Sequence, residues 1–200
     1  MYRPALYRSD DRPLLLELMR SYRFATLVTA VDGVPFATHL PFIVDDDALI
    51  GHVARANPHW RHFDERPSLV VFAGPHAYVS PRWYRAPAEH VPTWNYAAVH
   101  VYGVPELLDS EASIRALDRL VEQEEAGAPH PWIADAAVRD RRAPAIVAFR
   151  IPLERVEGKL KLSQNREPED AARVIAALTE EAPEVAAWMR RVHDPSGRAS

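Results

Sequence analysis

No cysteine occurs in these 200 residues, which excludes disulfides, thiolate metal sites and a cysteine nucleophile and suits a reducing compartment. Long apolar runs are missing as well. None approaches the ~18 to 20 residues needed to cross a bilayer, and the N-terminal MYRPALYRSDD lacks the apolar segment of a secretory signal. The expectation is a cytoplasmic protein without membrane contact. A basic surplus is also absent: 24 Lys and Arg stand against 28 Asp and Glu, a formal net charge of −4. That balance argues against a dedicated nucleic-acid binder, because phosphate neutralisation normally supplies most of the binding free energy. Arg139, Arg141 and Arg142 form the densest basic stretch, with Arg190 and Arg191 next, and such clusters more often face solvent or a partner. No G-x-S-x-G elbow, Walker loop or G-x-G-x-x-G is found, which removes the common hydrolase, NTPase and Rossmann readings. His59 and His62 share a helical spacing, but without HExxH, cysteine or a carboxylate at a recurrent ligand spacing no metal site is assigned.

What is present is proline, eighteen residues of it, against only seven glycines and 48% hydrophobic composition. That suits many short strands and fixed turns. The length fits a single domain over residues 1–200, carrying a helical C-terminal extension at about 167–193. The chain is organised around Gly74 to Gly103, where Tyr78, Trp83, Tyr84, Trp94, Tyr96 and Tyr102 place a third of the aromatic residues in under a sixth of the length. Tyr and Trp offer a broad apolar face and one polar tip, so the cluster suits either a wall for a flat, partly polar ligand or ordinary core. The loop from Pro81 to Pro92 is stiffened by its prolines.

In chain order, Asp10-Asp11-Arg12-Pro13 caps a first helix running to about Tyr22. FATLVTAV, Asp32-Gly33 and VPFATHLPF read as a hairpin on a type I′ turn. ALIGHVA is the third strand, in which Gly51 permits a close approach. Asn57 and Pro58 open a short helix, and SLVVFAG, HAYVS and AAVHVYGVPELL are further strands. Ser110 begins a helix that stops near Gly127, AIVAFRIPLERVEGKLKL is the last strand pair, and the tail forms one or two helices from Pro168. The expected class is α+β, mainly β: a small barrel with peripheral helices. A helix-turn-helix in the tail is disfavoured, since Glu180-Glu181-Ala182-Pro183-Glu184 is acidic where phosphates would lie.

Chemistry enters at Arg55 to His59. Free amides at a helix start, with Arg55 just before it, suggest a phosphate cradle. His39, His52 and His100 fall in strands and are open to two readings, ligand contact or satisfied core.

The stretches ATHLPF (Ala37 to Phe42), GHVARANPHW (Gly51 to Trp60), GPHAYVSPRWY (Gly74 to Tyr84), VPTWNYAAVHVYG (Val91 to Gly103) and GKLKLSQNR (Gly158 to Arg166) strongly resemble the PaiB family of FMN-binding negative transcriptional regulators. Arg82 departs from the small residue expected in VSPxWY. The resemblance implies an FMN-binding split β-barrel, related to pyridoxamine-phosphate oxidases and flavin reductases, assembled as a homodimer with flavin near the subunit interface. It implies FMN phosphate held by Arg55, the backbone of Ala56 and Asn57, and His59. Thr38, His39, Leu40, His52, Val53 and Ala54 would then line the isoalloxazine, with Trp94, Asn95 and Tyr96 on the ring. Lys161, Ser163, Gln164 and Asn165 either reach the ligand, across the dimer, or form a surface loop. Transcriptional control, with DNA as a partner despite the charge balance, stands beside two alternatives: a flavin-dependent oxidoreductase or flavin reductase, and a haem protein ligated through His39, His52 or His100.

Overall fold

Alternation of apolar and polar residues marks the stretches 24–54, 68–79, 93–103 and 146–161, and most of the strands result from it. The computed structural model describes residues 1–63 and 66–194. Its strands are β1 (Arg8–Ser9), β2 (Phe24–Val31), β3 (Val34–Pro41), β4 (Ile43–Val44), β5 (Ala48–Ala54), β6 (Ser68–Val79), β7 (Thr93–Gly103), β8 (Glu106–Leu107), β9 (Ile146–Pro152) and β10 (Arg155–Lys161). Its helices are α1 (Arg12–Ser21), α2 (Ser110–Glu125), α3 (Ala136–Arg142), α4 (Pro168–Glu181) and α5 (Pro183–His193). None of these helices is long and apolar enough to cross a membrane. The chain divides into two compact units, each built from separated stretches. Of the described residues, 1–11, 73–99 and 157–194 form one, and 12–63, 66–72 and 100–156 the other.

In the unit that contains the N-terminus, β1, β10, β7 and β6 are sheet neighbours in that order. Arg8 pairs with Lys159 and Ser9 with Gly158 in antiparallel register. Its buried apolar residues include Val174, Leu178, Val185 and Met189 of helices α4 and α5, together with Val79, Leu160 and Leu162. The proline-rich loop makes two single 3₁₀ turns, Pro81–Trp83 and Pro87–Glu89. It is tied to α4 because Asp170, at the start of that helix, accepts the Arg85 backbone N–H at 2.9 Å. That bond, reinforced by the Arg85 guanidinium, holds the Asp170 carboxyl below the usual carboxylate range. Tyr84 is buried between His90 and the guanidinium of Arg166.

The second unit holds β6–β2–β3 in one sheet and β4–β5–β9–β8 in the other. The β2–β3 hairpin closes on Asp32 (φ 50°) and Gly33 (φ 81°), the two positive φ angles that a type I′ turn requires. Phe42, Phe72 and Phe149 are fully buried and meet ring to ring. Helix α1 buries Leu15, Leu18 and Met19 and is fastened to the acidic turn by Arg20, which bonds the Val44 carbonyl and the Asp46 carboxylate. Gly51 accommodates side chains, not backbone: a Cβ there would lie 2.9 Å from both Leu40 Cδ1 and Phe42 Cε1.

Three expectations change. Strand β6 runs unbroken through Gly74-Pro75, because Pro75 lies beyond the residues registered with β2, Leu69 to Val71, where a missing N–H costs no bond to that neighbour. Strand β7 starts at Thr93, so Trp94, Asn95 and Tyr96 belong to it. Strands β9 and β10 exist but do not pair with each other: β9 pairs with β5 along seven residues and β10 with β1. Leu153-Glu154 between them offers no residue suited to the positive φ of a tight hairpin.

Gly103 is less replaceable than Gly51, since a Cβ there would fall on the carbonyl oxygen of Pro152. Gly103→Ala should cost about 2 to 3 kcal/mol, clearly more than Gly51→Ala, where side chains can yield; the midpoints of urea unfolding rank the two.

Candidate functional site

The turn after β5 is built by local hydrogen bonds. Arg55 N–H donates to Ala145 O and Asn57 N–H to Ala54 O, both at 2.8 Å. Asn57 Oδ1 accepts the His59 N–H at 3.0 Å, as an N-cap does, and Pro58 takes the first position of the turn. The capped segment, Pro58–His62, is a 3₁₀ helix and not an α-helix, so its dipole is small. The capping bond also consumes the His59 amide. Arg55 is partly committed: Nε and Nη2 donate to the carbonyls of Pro144 (2.6 Å) and Ile146 (2.9 Å). The exposed donors left at this turn, among the described residues, include the Ala56 N–H and the Nη1 edge of Arg55. A single anionic oxygen cluster is what two such donors can hold.

Behind the turn lies a buried polar chain. Asn57 Nδ2 donates to Thr38 Oγ1 at 3.2 Å, and Thr38 Oγ1 is 2.8 Å from His59 Nδ1. On the other side His59 Nε2 is 2.9 Å from Thr29 Oγ1, which is 2.6 Å from Ser68 Oγ. The donor already on Thr38 favours its hydroxyl proton pointing at Nδ1, so Nε2 carries the ring proton and donates to Thr29. His59 is 0% exposed, and burial, aided by the nearby His62, pushes its pKa down to about 4. His59 therefore sits in the core with both ring nitrogens engaged, where it fixes the turn. Thr29 and Ser68 were not among the residues singled out from the sequence. Strand parity carries their signal, because Thr29 shares the buried face of Ala25 and Leu27, and Ser68 that of Val70 and Phe72.

The remaining candidates separate by burial. Leu40 and Val53 are core residues, Thr38 is half-buried, and His39 is exposed and bonded to Thr26 Oγ1 at 2.9 Å. His52 is half-buried, which lowers its proton affinity, and Ala54 is exposed. In the unit that contains the N-terminus, Asn95 is buried and donates to Ser163 Oγ at 2.9 Å, while Trp94 remains 52% exposed beside the half-buried Tyr96. Lys161 Nζ donates to Thr93 Oγ1 and Trp94 O, both at 2.6 Å. Gln164 braces its own turn, accepting from Leu162 N and donating to Leu160 O, with Ser163 at φ 68° and Asn165 exposed. Arg82 faces solvent, 3.5 Å from Glu181.

The neutral imidazole of His59 makes stability depend on pH. Because its folded pKa lies below the ordinary 6.5, the unfolded chain takes up the proton first. Stability is full above about pH 6.5 and is lost as pH falls through the window down to about 4, by about 3 kcal/mol in all. Urea unfolding across that window should show the slope, and the His59→Gln variant should lose it.

Residues 1–155 match the family described as "Putative FMN-binding domain". "Protease synthase and sporulation protein PAI 2" of Bacillus subtilis is 37% identical over 189 residues, which cover 90% of each chain. Among solved structures, the FAD and heme binding protein from Mycobacterium smegmatis superposes with a TM-score of 0.66 at 22% identity, covering 83% of this chain and 79% of that one. A flavocytochrome from Azotobacter vinelandii gives 0.68 at 17% identity, with 86% and 78% covered. These structural likenesses bear out the mainly antiparallel α+β split-barrel class. The family match and the Bacillus relative together establish that the chain belongs to the PaiB family of FMN-binding proteins.

Proposed function

We propose that this chain is an FMN-dependent regulator of PaiB type, a cytoplasmic homodimer that lowers transcription in response to flavin. The match to an FMN-binding domain over residues 1–155 carries the reading, and the regulatory part is taken from the family to which the chain belongs. The turn after β5 fits an anionic tail: Arg55 offers its Nη1 edge and Ala56 its N–H, in a segment whose shape is fixed from behind by Asn57, Thr38 and His59. When bound, FMN would supply hydride or electron transfer, while the chain's own groups bind, orient and shield it.

Control of transcription without strong DNA affinity suits the charge. The net charge is −4, and Arg139 in the basic stretch is neutralised by Asp118 and Asp140. A haem-bearing or redox variant of this reading is favoured by the two solved structures, one an FAD and heme binding protein and the other a flavocytochrome. The absorption spectrum of the purified protein decides between a flavin band and a Soret band.

A hydrogen bond to a charged partner contributes roughly 1.5 to 3 kcal/mol. Arg55→Ala should therefore weaken FMN binding by about ten- to a hundredfold in a fluorescence titration, with circular dichroism confirming that the fold is retained. Unchanged affinity would remove Arg55 from the phosphate site, and no uptake of FMN by the wild-type protein would remove the flavin reading.

A further inference from the structure

The chain contains twenty-two arginines but only two lysines, Lys159 and Lys161. They are alternate residues of β10 and so share a face of the unit that contains the N-terminus. An ammonium is a compact point charge where a guanidinium is a planar fork, and a chain that uses arginine everywhere else has placed its two ammonium groups together.

Lys159 is only 9% exposed. Among the described residues, no carboxylate or hydrogen-bond acceptor reaches its ammonium, which instead lies over the rings of Tyr2 at 5.4 Å and Tyr96 at 5.3 Å. Ring faces attract a cation but do not replace a counter-ion, and a largely buried charge ordinarily has one. The carboxylate two residues away, Glu157, is taken up by the N-terminal ammonium at 2.6 Å and by Arg3 at 4.0 Å. Lys161 adds a second positive charge, and burial together with Arg166 and Lys159 lowers its proton affinity. This corner carries positive charge in excess of its acceptors. Beside it, on the same sheet face, Trp94 and Tyr78 are 52% and 46% exposed and meet edge to face at 6.3 Å.

We propose that this face is a binding site for a planar aromatic anion, whose ring lies against Trp94 and Tyr78 and whose charge is received by Lys159. The proposal goes beyond the phosphate turn, which belongs to the other unit and is tested by Arg55. Two sources share this chemistry: the flavin itself, and a separate aromatic carboxylate.

Because the protein has only two lysines, trace acetylation of amines read by mass spectrometry reports on this corner directly. The full chain is labelled without additive, with FMN, with salicylate after FMN loading, and with acetate as an anion lacking a ring. The expected result is slower acetylation of Lys159, by about tenfold, with an aromatic anion and not with acetate. Protection by FMN assigns the flavin as the anion, and protection that appears only with salicylate assigns a separate aromatic acid. Absence of protection by both, or equal protection by acetate, overturns the proposal. Lys159→Met should weaken binding of the protecting ligand by about ten- to a hundredfold, and a folded variant with unchanged affinity overturns the proposal as well. If that variant does not fold, the wild-type labelling decides. The Arg55→Ala protein labelled with salicylate separates the two sites: the phosphate reading can fail there while protection of Lys159 persists.

Discussion

A single uncharged imidazole carries much of the order in the second unit. His59 bridges Thr29 on β2 and Thr38 on β3, and through them reaches Ser68 on β6 and the Asn57 cap. The Asn57 donor on Thr38 favours one direction of proton donation along that chain, and a buried chain of hydrogen bonds with a preferred direction resists rearrangement. The turn after β5 is rigid for this reason, and not because its five-residue 3₁₀ segment is stable alone.

Local rules in the sequence set several elements correctly. Asp32-Gly33 demands a tight hairpin, Asn57-Pro58 caps a turn, and the apolar spacing of Val174 with Leu178 and of Val185 with Met189 marks the two tail helices. Non-local partners were not legible. Nothing in RANPHW says that Arg55 would be drawn onto the carbonyls of Pro144 and Ile146, ninety residues away in the chain. Nor does it say that His59 would find two threonines on different strands. The proline in β6 misled for a related reason, since whether a missing N–H breaks a strand depends on where its neighbour ends.

The acidic surplus also looks different once paired. The turn Asp45-Asp46-Asp47 reads in sequence as a polar connection, yet Asp45 meets Arg119 of α2, Asp46 meets Arg20 of α1 and Asp47 meets Arg150 of β9. Exposed pairs of this kind contribute little stability individually. Their effect is geometric, because three elements converge on one turn and each is held by a different carboxylate. Arg23 and Glu124 repeat the pattern with a two-pronged bond, which raises the proton affinity of the arginine and lowers that of the glutamate.

Both compact units are discontinuous in sequence. During synthesis β5 emerges on the order of a hundred residues before β9, the strand that provides most of its hydrogen bonds. Until then its neighbour is the two-residue β4, and the nascent chain presents a bare apolar edge of the kind that invites mispairing. Holding that edge safe in the interval is a demand placed on the cell, and its origin is the order in which the strands are written.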